Sequence, residues 1–152
     1  MSTTAPALPP ANRNPDLLHA DVRMAWLRLA EAALALGRPI FLTEGWRSPA
    51  RQDALYAQGR TVPGKIVTNA RAWQSFHQTG RAVDFAFQHG SPFADAHPWE
   101  HVGQMAELLG FEWGGRWRKP DRPHLQMTGG LTLAEAVAEA KLDPRYRGKI
   151  PA

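Results

Sequence analysis

Residues 75–85 read SFHQTGRAVDF, and the run continues as AVDFAF over 82–87. The second half alternates with a period of two: Val83, Phe85 and Phe87 fall on one face, Ala82, Asp84 and Ala86 on the other. That pattern predicts a strand whose aromatic face belongs to a core. The opposite face is a carboxylate flanked by two alanines, where an exposed strand would more usually carry Thr, Lys or Glu. Such small neighbours leave clearance beside Asp84 suited to an ion or a substrate. Gly80 supplies a turn between His77 and Asp84, so both side chains can converge across a tight connection. On its own, a histidine and an aspartate at this spacing are more often structural, one capping a turn and the other solvated.

On the N-terminal side, ADVRMAWLRLAEAALALG (20–37) sets Val22, Trp26, Leu29, Ala33 and Leu36 at helical spacing from about Asp21, and Gly37 and Pro39 end the helix. IFLTEG (40–45) is a short apolar run that reads as a buried strand. SPARQDALYAQG (48–59) predicts a second helix, with Ser48 as N-cap, Pro49 at the first helical position and Gly59 at the exit. GRTVPGKIVTNARAWQ (59–74) reads as a long surface connection with a short strand at Ile66 to Thr68. Beyond the central strand, HPWEHVGQMAELLG (97–110) fits a third helix. FEWGGRW (111–117) and HLQM (124–127) are short strands around a glycine turn. Thr132 and Glu135 form a capping box for a last helix, TLAEAVAEAK (132–141). Short strands interspersed with helices, without a repeated βαβ unit, predict the α+β class.

Composition sets the outer limits. At 152 residues, 43% hydrophobic and 21% charged, the chain is one ordinary globular domain, long enough to bury a core. The expected division is a flexible lead-in over 1–15 and a single domain over 16–152. There is no cysteine, which excludes disulfides, thiolate zinc sites and a cysteine nucleophile. The net charge of +4 favours an anionic partner, yet no run of five or more Lys/Arg supports a nucleic-acid tail. No apolar run approaches the ~20 residues that span a bilayer. MSTTAPALPPANRNP lacks a positive region followed by an apolar stretch, so no secretory signal is expected.

A metal site at His77 and Asp84 needs a third ligand, and PDRPHLQM (120–127) offers it: His124 and Gln126 share one strand face, Leu125 and Met127 the other. Two histidines and one carboxylate are a catalytic zinc set that leaves a fourth position for water. Asp121, three residues before His124 and stiffened by Pro123, can reach that water as a base without being a ligand. His97 and His101 stand four apart but lack a glutamate base and a third ligand, and read as surface or capping residues. His19 and His89 offer nothing. Arg47, in TEGWRSP where a strand gives way to a helix, could bind a carboxylate or an oxyanion. From the residues alone, packing over Trp46 or pairing with Glu44 is the favoured reading. Trp73, Trp113 and Trp117 flank the ligand segments and could wall a cleft, with core packing as the default.

These segments together resemble a known family. SFHQTGRAVD fits the SxHxxGxAxD signature of the zinc D-Ala-D-Ala peptidases, which include vancomycin-resistance dipeptidases and phage endolysins, and DRPH (121–124) fits their second signature. TEGWRSPARQDALYAQGRTVPGKIVTNA and NRNPDLLHADVR are similar to the L-alanyl-D-glutamate peptidase branch. The resemblance spans about residues 12 to 127.

The resemblance implies a small antiparallel sheet flanked by helices, the fold shared with lysostaphin-type and hedgehog-type zinc domains. It implies one Zn2+ held by His77, Asp84 and His124, Asp121 as general base, and Arg47 on the substrate or developing oxyanion. Ser75 and Gln52 would be lesser substrate-binding residues. One departure stands out: the branch often reads WGGDW before the base, and this chain has WGGRW, with Arg116 in place of the acid. The expected activity is endolysin-like hydrolysis of the peptidoglycan stem peptide at the L-Ala–D-Glu bond by a monomer that acts on the cell wall after lysis or holin-type release. The alternatives are a D-Ala-D-Ala carboxypeptidase or dipeptidase, and a non-catalytic zinc domain that binds the wall.

Overall fold

The computed structural model describes residues 7–147 and 149. Helix α1 (Ala20–Ala35) begins at His19, whose Nδ1 accepts from the Asp21 N–H at 3.3 Å, and its stripe of Val22, Trp26, Leu29 and Ala33 is buried. Leu36, expected on that stripe, is exposed, because the chain leaves the helix there and turns at Gly37 (φ 71°). Strand β1 (Ile40–Glu44) follows, then α2 (Pro49–Ala57), capped by the Ser48 hydroxyl accepting from the Arg51 N–H. Next come β2 (Ala82–Phe87), α3 (Trp99–Leu108), β3 (Glu112–Trp113) and β4 (His124–Gln126). Helices α4 (Leu133–Leu142), opened by the expected Thr132–Glu135 capping box, and α5 (Pro144–Arg147) complete the described chain.

The strands form one antiparallel sheet in the order β1-β2-β4-β3. This is the α+β architecture the sequence pattern and the resemblance predict. Val83, Phe85 and Phe87 are buried in the core as expected, with Phe85 against Trp99 and Trp26 at centroid distances of 5.4 and 6.5 Å. Ala82 and Ala86 are also fully buried, so the clearance on the other face is confined to Asp84. A register shift between Leu42 and Glu44 brings Glu44 opposite Asp84, while Asp84 faces His124 on the other side. Helix α3 lies so close to β3 that a Cβ on Gly103 would collide with the Trp113 indole.

The strand expected at Ile66 to Thr68 does not form, and side chains hold the backbone of Thr68 and Ala70 instead. The Arg60 guanidinium donates to Thr68 O at 3.0 Å, and Gln52 Nε2 donates to Ala70 O at 2.7 Å. Residues 1–6 of the expected lead-in lie outside the described residues. Further along, Pro9 O accepts from Arg51 at 2.5 Å and Asn12 O accepts from the Gly45 N–H at 2.7 Å. At the other end Tyr146 is buried, stacked on Trp46 at 5.1 Å, and its hydroxyl donates to Leu17 O at 2.5 Å. No described helix is long and apolar enough to cross a membrane.

Candidate active site

His77 sits on a single helical turn, Phe76–Thr79. Ser75 caps this turn by accepting from the His77 N–H, while Gln78 reaches back to the Ser75 N–H. Gly80 leaves the turn at φ 73°, and a Cβ there would collide with the Tyr146 hydroxyl, so glycine is required on both counts. His77 is 2% exposed. Its Nδ1 lies 2.8 Å from Gly45 O, which can only accept, so Nδ1 carries the hydrogen and Nε2 presents a lone pair. That Nε2 is 3.3 Å from Asp84 Oδ2.

His124 mirrors the arrangement from β4. Its Nε2 is 2.9 Å from Gln126 Oε1, and the same carboxamide donates through Nε2 to Glu112 Oε2 at 3.2 Å. The amide therefore accepts from His124, and the lone pair of His124 lies on Nδ1, 3.1 Å from Asp84 Oδ1. Two imidazole lone pairs and a carboxylate thus turn toward one point, with one ligand atom from each within 4.8 Å of the others. Only a cation, proton or metal, reconciles three acceptors so placed. The donor set, nitrogen, nitrogen and oxygen without sulfur, fits a catalytic zinc. Burial pushes the Asp84 carboxyl up, but His77 and His124 outweigh it and hold the group well below the usual carboxylate range. For His124, burial acts downward and the Asp84 carboxylate more than offsets it, leaving its pKa raised.

Around this point opens a cleft of about 480 Å³, lined among others by Asp121, Ser75, Arg47 and Trp117. The segment before β4 is folded back on Gly114: the Asp121 N–H donates to Gly114 O at 2.9 Å, and a Cβ on Gly114 would strike the Asp121 backbone. Burial and the neighbouring Asp84 charge raise the pKa of Asp121, opposed by His124, His77 and Arg47. Arg47 lines the cleft and also makes the expected pairing with Glu44. It pairs with Glu44 at 2.6 Å and stands 3.5 Å from Asp84 Oδ2, while its buried Nε has no partner among the described residues.

Gln52 is placed differently from expectation. It is fully buried and is not among the residues lining the cleft. Its Oε1 accepts from Arg47 at 3.0 Å and Gln78 at 3.1 Å, and its Nε2 is spent on Ala70 O, so it ties the cleft rim to the His77 turn. Of the tryptophans, Trp113 is core, and Trp117 walls the cleft 5.0 Å from the His124 ring. Trp73 lies beneath Lys141 at 4.7 Å, off the cleft lining. Arg116 turns away to α3, pairing with Glu100 at 2.7 Å and Glu107 at 3.1 Å over the Trp113 ring. The acid-to-arginine departure therefore falls on the surface beside α3. His97 stacks on Phe87 at 4.4 Å and takes no part in a metal group among the described residues. The sequence reading placed Gln126 on the His124 face without a role, and it gave no sign of the Glu112 partner, which is joined across strands.

Comparison with known proteins agrees with this geometry. The family model described as D-alanyl-D-alanine carboxypeptidase matches residues 68–127, the stretch that carries His77, Asp84, Asp121 and His124. The chain is 43% identical over 125 residues to the peptidoglycan L-alanyl-D-glutamate endopeptidase CwlK of Bacillus subtilis (strain 168), covering 74% of this chain and 75% of that protein. The chain belongs to this family of metallopeptidases. Among solved structures it is similar to the L-Ala D-Glu endopeptidase ChiX of Serratia marcescens, with TM-score 0.55 and 27% identity over 76% of this chain and 84% of that one. The fold is also that of the L,D-carboxypeptidase DacB of Streptococcus pneumoniae, with TM-score 0.57 and 22% identity over 93% and 86% of the two chains.

Proposed function

We propose that this chain is a zinc-dependent peptidoglycan peptidase that cuts the stem peptide between L-Ala and D-Glu, with His77, Asp84 and His124 as the metal ligands. The observation that carries the metal reading is the convergence of two imidazole lone pairs on Asp84, each fixed by a hydrogen bond from the ring's other nitrogen. When bound there, zinc supplies Lewis-acid activation of a water molecule at neutral pH. Asp121 takes that water's proton on its carboxylate and returns it to the leaving amine, a role its raised pKa and place in the cleft support. Arg47, held from behind by Glu44, stabilises the charge that develops on the carbonyl oxygen. Ser75 caps the His77 turn from the cleft wall. The chain acts as a monomer on the anionic wall, to which its net charge of +4 draws it.

The choice of bond rests on similarity: CwlK, 43% identical over 125 residues, is an L-alanyl-D-glutamate endopeptidase, and so is ChiX among the solved structures. Mass spectrometry of purified peptidoglycan digested by zinc-loaded protein tests this, with His124→Ala as control. Stem peptides that begin at D-Glu are expected. Loss of terminal D-Ala alone would move the enzyme to the carboxypeptidase reading, and zinc binding without products would leave a wall-binding domain.

A further inference from the structure

We propose that Glu112 is a positioning residue for the site, acting through Gln126 on His124 and through the indole N–H of Trp117 on the cleft wall. The inference rests on the metal reading of His77, Asp84 and His124. Glu112 lies on β3 directly opposite Gln126 in the sheet register, with Trp113 and Leu125 as the next pair, pointing into the core. Period-two alternation therefore sets Glu112 and Gln126 on the site face. One carboxylate oxygen accepts from Gln126 Nε2 at 3.2 Å, and the other accepts from Trp117 Nε1 at 2.8 Å. Gln126 then accepts from His124 Nε2 at 2.9 Å.

The residue types are matched to their places in this chain of bonds. The middle member must accept from an imidazole at one end and donate to a carboxylate at the other, which an amide does and neither a carboxylate nor an aliphatic group can. The last member must accept twice, which a carboxylate does. A histidine oriented this way presents its opposite nitrogen to a metal with fixed tautomer and direction. Because the same carboxylate also pins Trp117, whose ring stands 5.0 Å from His124, the metal site and the wall beside it share one anchor.

The two arms separate experimentally. Zinc affinity is read by competition with a chromophoric chelator, and KM and kcat with a defined stem peptide. Gln126→Leu is expected to weaken zinc binding about 10-fold or more. Trp117→Phe is expected to keep zinc affinity and raise KM, and Glu112→Gln both to weaken zinc binding and to raise KM. Adding Gln126→Glu to Glu112→Gln exchanges acceptor and donor while keeping every bond, and is expected to restore zinc affinity, which a merely structural role would not produce. Zinc affinities equal to wild type in both Gln126→Leu and Glu112→Gln, or a double variant no better than Glu112→Gln, would overturn the proposal. A wild-type protein that binds no zinc would instead sink the metal reading on which it stands.

Discussion

Glu44 and Arg47 stand three residues apart and form a 2.6 Å ion pair directly behind the cleft, and Arg51 closes on the other carboxylate oxygen at 2.5 Å. The same Arg47 guanidinium reaches Asp84 at 3.5 Å, so a buried carboxylate outside the cleft decides where the cleft's cation points. Burial pushes the Glu44 carboxyl up, but hydrogen bonds and charge from Arg47 and Arg51 outweigh it and hold it below its ordinary 4.5. Removing one partner of such a group strands the others, at a cost of about 3 kcal/mol. Glu44→Gln is therefore expected to lose about that much stability at pH 7 in urea unfolding. A depressed folded pKa gives stability that is present above the unfolded value of 4.5 and is lost as pH falls through the folded one. The gap between wild type and Glu44→Gln should accordingly close below that value, and a gap independent of pH would contradict the argument.

Asp121 is a base only if its loss spares the metal. Its carboxylate is not among the three converging ligand groups, and burial together with the Asp84 charge raises its pKa. Asp121→Ala is expected to lower kcat by about 10²- to 10⁴-fold while zinc affinity, measured by chelator competition, stays at the wild-type level. Full activity in that variant would remove Asp121 from the mechanism.

Metal and fold should be linked. The three proposed ligands come from the Phe76–Thr79 turn, β2 and β4, elements that meet only in the folded chain. Zinc at about 1,000 times its Kd is then expected to stabilise the protein by about 4 kcal/mol, seen as a rise in the urea midpoint. His124→Ala should abolish the rise, and chelation should abolish activity. A midpoint indifferent to zinc would place the ion elsewhere.

Most of the helices and β2 were legible in the sequence because their signals are local: a periodic stripe, a capping residue, an alternation. The three converging residues and Asp121 were legible because SFHQTGRAVD and DRPH carry them in two short runs. What could not be read are relations across the sheet and between distant segments. The shift that sets Glu44 opposite Asp84, and the pairing that joins Glu112 to Gln126, depend on register, which no single strand displays. Ile66 to Thr68 carries β-branched residues but pairs with no strand, so local propensity alone did not make one. Gln52 was expected in contact with substrate because a motif names it, yet its burial follows from Ala70, Gln78 and Arg47 meeting around it. The burial of Tyr146 in the C-terminal tail was not legible either, since arginines flank it and its partners Trp46 and Leu17 lie far back in the chain.

That tail makes the last prediction. The Tyr146 hydroxyl donates to Leu17 O beneath Gly80, and burial pushes its pKa up to about 12 from 10.0, with the Arg145 charge acting against it. The folded state therefore favours the protonated phenol. Its contribution is fully present below pH 10.0 and is lost as pH rises through about 12. Tyr146→Phe strands the Leu17 carbonyl and is expected to cost about 1–3 kcal/mol at pH 7. Between pH 10.0 and about 12 its stability should fall less steeply than that of wild type, because the variant has no phenol to ionise at this position. Parallel alkaline profiles would mean that Tyr146 is not held as the geometry shows. A loss of zinc affinity in the same variant would show that the tail's hold on Gly80 extends to His77, three residues before it on the same turn.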